Sequence, residues 1–113
     1  MPKRVLSQFL TQVNEPWQRV DLGILDDRYR VCMVWYKGEY FPHKHDADEF
    51  FLVLQGSIEI QFRSSVVKLR RGESYLIKKG RPHLSRSVRG AHVLVFEAKD
   101  LSTDEVRNLA GFR

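Results

Sequence analysis

The sequence has very little cysteine and no long apolar run: its 113 residues include a single cysteine, Cys32. One cysteine cannot form a disulfide within the chain, and we expect it to pack as a small buried apolar side chain in a cytoplasmic protein. Apolar runs stay below the roughly 18 residues that a membrane-spanning helix requires, so no membrane segment is expected. Internal repeats and low-complexity segments are also absent. These absences favour one globular domain over residues 1–113 and argue against membrane, repeat and disulfide-rich proteins.

Acidic residues are scarce in one stretch of the chain. Residues 63–89 contain nine Lys or Arg and one acidic residue, Glu73, whereas residues 1–62 contain seven basic and nine acidic residues. Such a local excess predicts either an anionic partner or a set of solvated, outward-facing strand positions. Nucleic acid is not the expected partner, because no DNA-reading helix is recognisable and the predicted terminal helices are not basic.

Short apolar stretches separated by turn residues fill the middle of the chain. Residues 28–37 carry β-branched and aromatic side chains on both faces, and residues 58–63 alternate apolar with polar side chains. Many short strands at regular spacing predict an all-β fold, with a barrel core over about residues 28–98. Short helices are predicted over 4–14, from apolar residues at helical spacing, and over 103–112, from a capping box that begins at Ser102.

Three histidines and a glutamate are the residues that most strongly indicate chemistry. His43 and His45 point the same way from a β-strand, and Lys44 between them should face solvent. Glu49 has the same parity and opens the next apolar strand, and His83 follows later in the chain. A single histidine is more often structural than a ligand, but three imidazoles with one carboxylate form the donor set of a Zn, Mn, Fe or Ni site. We therefore predict one bound divalent metal ion.

The spacing of these residues resembles the two sequence motifs of the cupin superfamily. The first motif is His43-X-His45-X3-Glu49-X6-Gly56, the second is Gly72-X7-Gly80-X2-His83, and fifteen residues separate them. In particular the chain is similar to small single-domain cupins grouped with mannose-6-phosphate isomerase-like proteins. The resemblance implies a double-stranded β-helix, or jelly-roll barrel, which binds a metal inside one barrel mouth and usually forms a homodimer. It assigns His43, His45, Glu49 and His83 as the metal ligands.

Four further residues are candidates for binding a substrate. Lys78, Lys79 and Arg81 flank the loop before His83, where they could hold a carboxylate or phosphate, although solvated loop charges are an equal alternative. His92 lies outside the motifs. A histidine at such a position more often has a structural role, but an imidazole that faces the cavity could act as a base.

Three functions are compatible with these features. The first is a metal-dependent enzyme, of isomerase or oxygenase type, that acts on a small polar metabolite, which the basic stretch allows to be anionic. The second is a non-catalytic module that binds or senses a metal or a sugar-like ligand. The third, a nucleic-acid-associated regulator that uses the basic stretch 63–89, ranks last. Fold cannot separate the first two, since function depends on the site.

Overall fold

The computed structural model describes residues 3–112, which form one short helix and nine strands. In chain order these elements are α1 (Leu6–Gln12), β1 (Arg19–Leu25), β2 (Tyr29–Glu39), β3 (His43–His45), β4 (Glu49–Gln55), β5 (Ser57–Phe62), β6 (Ser65–Arg70), β7 (Ser74–Ile77), β8 (His83–Ala98) and β9 (Thr103–Glu105). The predicted all-β fold is confirmed, and the predicted N-terminal helix is present as α1.

The long strand β8 organises the sheet. It pairs antiparallel with β2, β3, β4 and β5. Strand β1 continues the sheet beyond β2, β6 beyond β5, β7 beyond β4, and β9 beyond β3. One strand can pair with four others only if the sheet curls around it, so the sheet encloses its own core.

The core lies inside this curl. Period-two alternation places Ile58, Ile60 and Phe62 of β5 on the inner face, where all three are buried. Phe51 of β4 and Phe62 are the two largest side chains that are almost completely buried. Burying each such side chain contributes about 1.5–3 kcal/mol, so these residues hold the curled sheet closed.

Gly90 allows β8 to run past Trp35 as one continuous strand. Its φ of 96° is a left-handed conformation that favours glycine, and a Cβ at this position would lie 2.2 Å from the Trp35 ring. Both the conformation and the close approach therefore require glycine here.

The predicted C-terminal helix over 103–112 is wrong. Thr103–Glu105 instead forms β9, which pairs with β3 so that Thr103 lies opposite His45. The residues after β9 are irregular, and the Arg63 side chain donates hydrogen bonds to the carbonyl oxygens of Asn108 and Ala110. A helix here could bury only a narrow face of three apolar residues. As a strand, the segment instead supplies hydrogen-bond partners to an otherwise open edge of β3, and this pairing favours β9 over the helix.

Among residues 3–112, no helix is long and apolar enough to cross a membrane.

Candidate metal centre

Three histidines from two neighbouring strands meet at one end of the curled sheet. His43 and His45 lie on β3 with exposed Lys44 between them, and His83 at the start of β8 lies directly opposite His43. All three histidines are buried, and one ring nitrogen from each lies within 4.8 Å of the others. The structure therefore brings together residues that are separated by up to 40 positions in the sequence, close enough for a single ion to lie between them.

Backbone carbonyls orient the three imidazole rings. Nδ1 of His43 lies 2.7 Å from the carbonyl oxygen of Phe41, and Nδ1 of His83 lies 2.9 Å from that of Arg81. Nδ1 of His45 lies 3.3 Å from the carbonyl oxygen of Ser102 and 3.0 Å from Thr103 Oγ1. A carbonyl oxygen only accepts, so Nδ1 carries the proton and Nε2 keeps a free lone pair. Such a partner on the second nitrogen is typical of histidines that bind metals.

Glu49, the first residue of β4, lies beside these Nε2 atoms. Its Oε1 is 3.3 Å from His45 Nε2 and 3.7 Å from His83 Nε2. Glu49 Oε1 and His83 Nε2 are both buried and have no hydrogen-bond partner among the described residues. A buried polar atom without a partner costs about 1–3 kcal/mol. We therefore expect both atoms to bind a group that accepts their lone pairs. A divalent cation fits this requirement, because every free atom in the group is a donor of the type that such ions prefer.

Burial and mutual contacts shift the pKa values of these groups. Burial, followed by repulsion from His83, lowers the pKa of His43 to about 4, so its imidazole is neutral at physiological pH. Burial would raise the pKa of Glu49, but its contacts with His45 and His83 outweigh burial and lower the pKa to about 2. Burial also lowers the pKa of His45, but contacts with Glu49 and with the Ser102 carbonyl raise this pKa by more. The pKa of His45 therefore lies above its ordinary value. The carboxylate is thus ionised and at least His43 is available as a neutral ligand.

A cavity of about 430 Å³ opens from the histidine cluster into the curl of the sheet. Alternation along the strands near the ligands predicts a wall of Phe51, Val53, Ile77 and Ser85, with Trp35, Phe41 and Phe96 as further candidates. Of these seven residues, only Phe51 and Ser85 line the cavity. The aromatic residues Trp17, Tyr36 and Tyr40 were not predicted as lining residues, although they form one wall. Trp17 packs against both tyrosines, with ring centroids 4.8 Å from Tyr36 and 5.0 Å from Tyr40. Burial raises the pKa of Tyr36 well above its ordinary value, so its hydroxyl keeps its proton.

A buried ion pair also lines the cavity and was missed from the sequence. Arg30 Nη2 donates to Glu97 Oε2 over 3.1 Å, and Glu97 is 6% exposed. Burial, and then the charge of Glu49, raises the pKa of Glu97 above its ordinary value, although Arg30 opposes this shift. The signal that could have found this pair is strand parity: Arg30 shares a face of β2 with Val34 and Tyr36, so its charge stands on an otherwise apolar inner face.

The three basic residues of the loop before His83 make their contacts outside the cavity. Lys78 is 72% exposed and contacts Asp48, whose other carboxylate oxygen accepts the backbone N–H of Lys79. The guanidinium of Arg81 stacks over the Phe62 ring and donates to the Tyr75 hydroxyl. None of the three lines the cavity.

His92 and Cys32 are also outside the cavity lining. His92 is buried between other elements, with Nε2 at 2.7 Å from the Val13 carbonyl oxygen and Nδ1 at 3.1 Å from Gln55 Oε1. Cys32 is completely buried, as expected, and burial followed by the charge of Glu97 raises the pKa of its thiol to about 12.

Comparisons with known proteins agree with this architecture. A protein of Bacillus subtilis strain 168, the uncharacterized protein YdbB, is 39% identical over 94 residues, which are 81% of this chain and 82% of that protein. The crystal structure of a cupin-2 domain containing protein from Shewanella frigidimarina is similar with a TM-score of 0.80 at 28% identity, covering 85% of this chain and 94% of the other. Hydroquinone 1,2-dioxygenase from Sphingomonas sp. TTNP3 has a TM-score of 0.71 at 18% identity, covering 80% of this chain and 70% of the other, and shares the fold alone.

The family model described as the cupin domain matches residues 31–97, more than half of the chain. The matched range contains all four residues of the histidine and glutamate cluster. With this match and the extent of its likeness to YdbB and to the Shewanella protein, the chain belongs to the cupin family, and its curled sheet is the jelly-roll barrel predicted from its motifs.

Proposed function

We propose that this protein is a metal-dependent enzyme of the oxygenase type, which binds one divalent ion through His43, His45, Glu49 and His83. The observation that carries the proposal is the buried pair of partnerless atoms, Glu49 Oε1 and His83 Nε2, beside two other imidazoles at the end of a cavity. A cavity of about 430 Å³ suits a small metabolite. The ion would be Mn, Fe, Zn or Ni by its donor set, and an oxygenase requires a redox-active ion such as Fe or Mn.

Backbone and side-chain groups of the protein have three tasks in this proposal. The carbonyl oxygens of Phe41 and Arg81 hold two imidazole rings in place, so their Nε2 atoms need no reorganisation when an ion binds. Glu49 supplies a negative charge that offsets part of the charge of the ion. Phe51 and the aromatic wall restrict water in the cavity. When bound, the ion supplies Lewis-acid and redox chemistry to a molecule in that cavity.

Two observations support an oxygenase over an isomerase. The structurally similar hydroquinone 1,2-dioxygenase holds 4-hydroxybenzoate in its crystal structure, which places aromatic oxygenase chemistry on this fold. Fold alone does not transfer an activity. The second observation is particular to this chain: Trp17, Tyr36 and Tyr40 give the cavity an aromatic wall, and aromatic side chains pack favourably on an aromatic ring.

Metal content tests the first half of the proposal. Protein purified without chelator, or reloaded with Mn, Fe, Zn or Ni, should contain about one ion per chain by elemental analysis. Glu49→Gln keeps the shape of the side chain but removes its charge, so metal affinity should fall by at least about 10-fold, the smallest loss typical even of a residue that only orients a ligand. Glu39→Gln is a matched control, since Glu39 is exposed on β2 and should leave metal affinity unchanged. Reloaded protein that stays free of metal would refute the proposal.

Oxygen consumption tests the second half. The Fe(II)-loaded and Mn(II)-loaded proteins should consume O2 in proportion to a ring-containing phenol or hydroxybenzoate. Isomerisation of sugar phosphates without O2 uptake would instead support the isomerase assignment and the mannose-6-phosphate isomerase-like grouping. A metal-loaded protein with neither activity, but with a bound ligand, would support the non-catalytic sensing module.

We also propose that the chain forms a homodimer in the cytoplasm. Apolar side chains at one edge of the outer surface, Ile24 on β1 and Tyr29 on β2, are 52% and 43% exposed. A second copy could cover this surface. Sedimentation analysis should then give twice the chain mass, whereas the mass of one chain would refute the dimer.

A further inference from the structure

Three charged residues form a row across the inner face of the sheet. Arg30 on β2 lies opposite Glu97 on β8, and Glu97 lies opposite Glu49 on β4. Directly opposed residues on neighbouring strands point to the same face of a sheet. Arg30 therefore enters the cavity two strands away from Glu49, at about 10 Å between their backbones.

The Arg30 guanidinium has N–H groups that donate to no acceptor in the part of the chain that the structure describes. A guanidinium carries several N–H donors, and Glu97 accepts from one of them, Nη2. Nε is buried without a hydrogen-bond partner among the described residues, so a ligand in the cavity does not reach it. Nη1 also makes no hydrogen bond to the described residues but is not among the buried atoms, so it is the group that a ligand can contact, although only 17% of the side chain is exposed. Arg86 also has one partnerless nitrogen, but its other donors engage Gln61 and Glu59, and it does not line this cavity. Arg86 instead lines a smaller cavity of about 220 Å³, whose lining contains none of the clustered histidines. Of these two arginines, Arg30 is therefore the one that lines the cavity beside the histidine cluster.

The charges of the cavity favour an anion once an ion is bound. Arg19 and Arg30 balance Glu49 and Glu97, so the charged lining is neutral by itself. A divalent ion adds two positive charges to this balance. A ligand that carries a negative charge would neutralise part of this excess, and a neutral one would not.

The aromatic wall lies in the same cavity. Trp17 has a φ of 64°, a left-handed backbone conformation that is rare for a bulky residue, and its ring packs on Tyr36 and Tyr40. Such strain is typically retained where the side chain position matters for function. The two tyrosine rings are tilted by 53° and 55° to the Trp17 ring, so an aromatic ligand in this cavity can make edge-to-face or offset contacts with them.

Resting on the metal site proposed above, we infer that the substrate is a small planar carboxylate whose carboxylate group binds Arg30 while its opposite end lies beside the histidine cluster. Arg30 then determines specificity for anions, and the exposed basic residues near His83 do not. The guanidinium can offer two parallel N–H groups to a carboxylate, and this geometry discriminates against a neutral amide of the same shape.

Calorimetric titration with benzoate and with benzamide, its neutral isostere, tests this inference. The metal-loaded parent should bind benzoate at least about 10-fold more tightly than benzamide. Arg30→Gln should weaken benzoate binding by about 10–100-fold, leave benzamide binding unchanged, and retain about one metal ion per chain. Arg28→Gln removes a charge from an exposed position two residues away and should bind benzoate as the parent does.

The outcomes separate this inference from the proposed function. Unchanged benzoate affinity in metal-loaded Arg30→Gln, or no benzoate binding to the loaded parent, would overturn the role of Arg30 while leaving the metal site intact. If the parent holds no metal, the proposed function fails, and the same two titrations on metal-free protein still decide whether Arg30 binds the carboxylate. If Arg30→Gln does not fold, Arg30→Lys replaces it: this variant keeps the charge but loses the planar fork, and it should still bind benzoate more weakly than the parent.

Discussion

His83 and His92 are two buried histidines on the same strand with opposite surroundings. In each ring, one nitrogen lies within hydrogen-bond distance of a backbone carbonyl oxygen. For His83 this is Nδ1 beside the Arg81 carbonyl, and for His92 it is Nε2 beside the Val13 carbonyl. The second nitrogen differs, because that of His92 contacts Gln55 whereas that of His83 has no hydrogen-bond partner within residues 3–112. A buried imidazole with both nitrogens occupied is a structural link, and one with a free nitrogen is a candidate ligand.

The two sites also differ in what packs around them. His92 joins β8 to the residue that follows α1 and packs on the Trp35 ring with centroids 4.6 Å apart. His83 instead faces the inner side of the sheet, with two other imidazole rings within 5.5 Å of its own. Burial by itself therefore does not identify a functional histidine, since both are at least 96% buried.

The largest expected effect separates these two histidines by their affinity for metal. His83→Ala removes a free Nε2 from the cluster, so metal affinity should fall by more than about 100-fold, the upper range for loss of a residue that merely orients a ligand. His92→Ala should retain the parent affinity. Metal titration with a competing chelator measures both constants. Equal affinities for His83→Ala and the parent would show that the cluster is not the metal site.

The second expected effect reverses the comparison and concerns stability. His92→Ala leaves the Val13 carbonyl oxygen without its buried partner and opens a space beside Trp35, so the free energy of unfolding should fall by about 2–4 kcal/mol. In metal-free protein, His83→Ala should cost less, because it removes one hydrogen bond but also a partnerless buried nitrogen. Chemical denaturation of both metal-free variants gives the two values. A larger loss in His83→Ala would contradict the assignment of His92 as the structural member of the pair.

The smallest expected effect extends the comparison to charges near His83. Lys79 belongs to the same loop, yet its side chain does not line the cavity. Lys79→Ala should therefore change neither metal content nor benzoate affinity, in contrast with Arg30→Gln. The same calorimetric titration measures this, and a clear loss of benzoate affinity in Lys79→Ala would restore the basic loop as the anion-binding element.

The histidine and glutamate cluster was predictable because it depends on local periodicity and on motif spacing. His43 and His45 share a strand face by parity alone, and exposed Lys44 between two buried neighbours agrees with that alternation. The partners of the cluster were not predictable in the same way. Thr103 and the Ser102 carbonyl contact His45 only because residues 103–105 add a strand to β3, where the local sequence favoured a helix.

The candidates for anion binding also show which residues the sequence could not identify. Lys78, Lys79 and Arg81 are close to His83 in sequence, and Arg30 is 53 positions away from it. Proximity in the sequence favoured the loop, but the curl of the sheet carries Arg30 inward and leaves Lys78 in solvent. Parity placed Arg30 on one face of β2, although it could not say which face would become the inside.

The sequence by itself determined most of the strands, the spacing of the four clustered residues and the family, because periodicity and short motifs are local properties of the chain. Only the tertiary structure decided which histidine keeps a free nitrogen, that the C-terminal segment pairs with β3, and that Arg30 and the aromatic wall share a cavity. Those outcomes depend on contacts between residues that are distant in the sequence. Hydrogen bonding at an open strand edge and burial in the curled sheet can override the local preference of a segment.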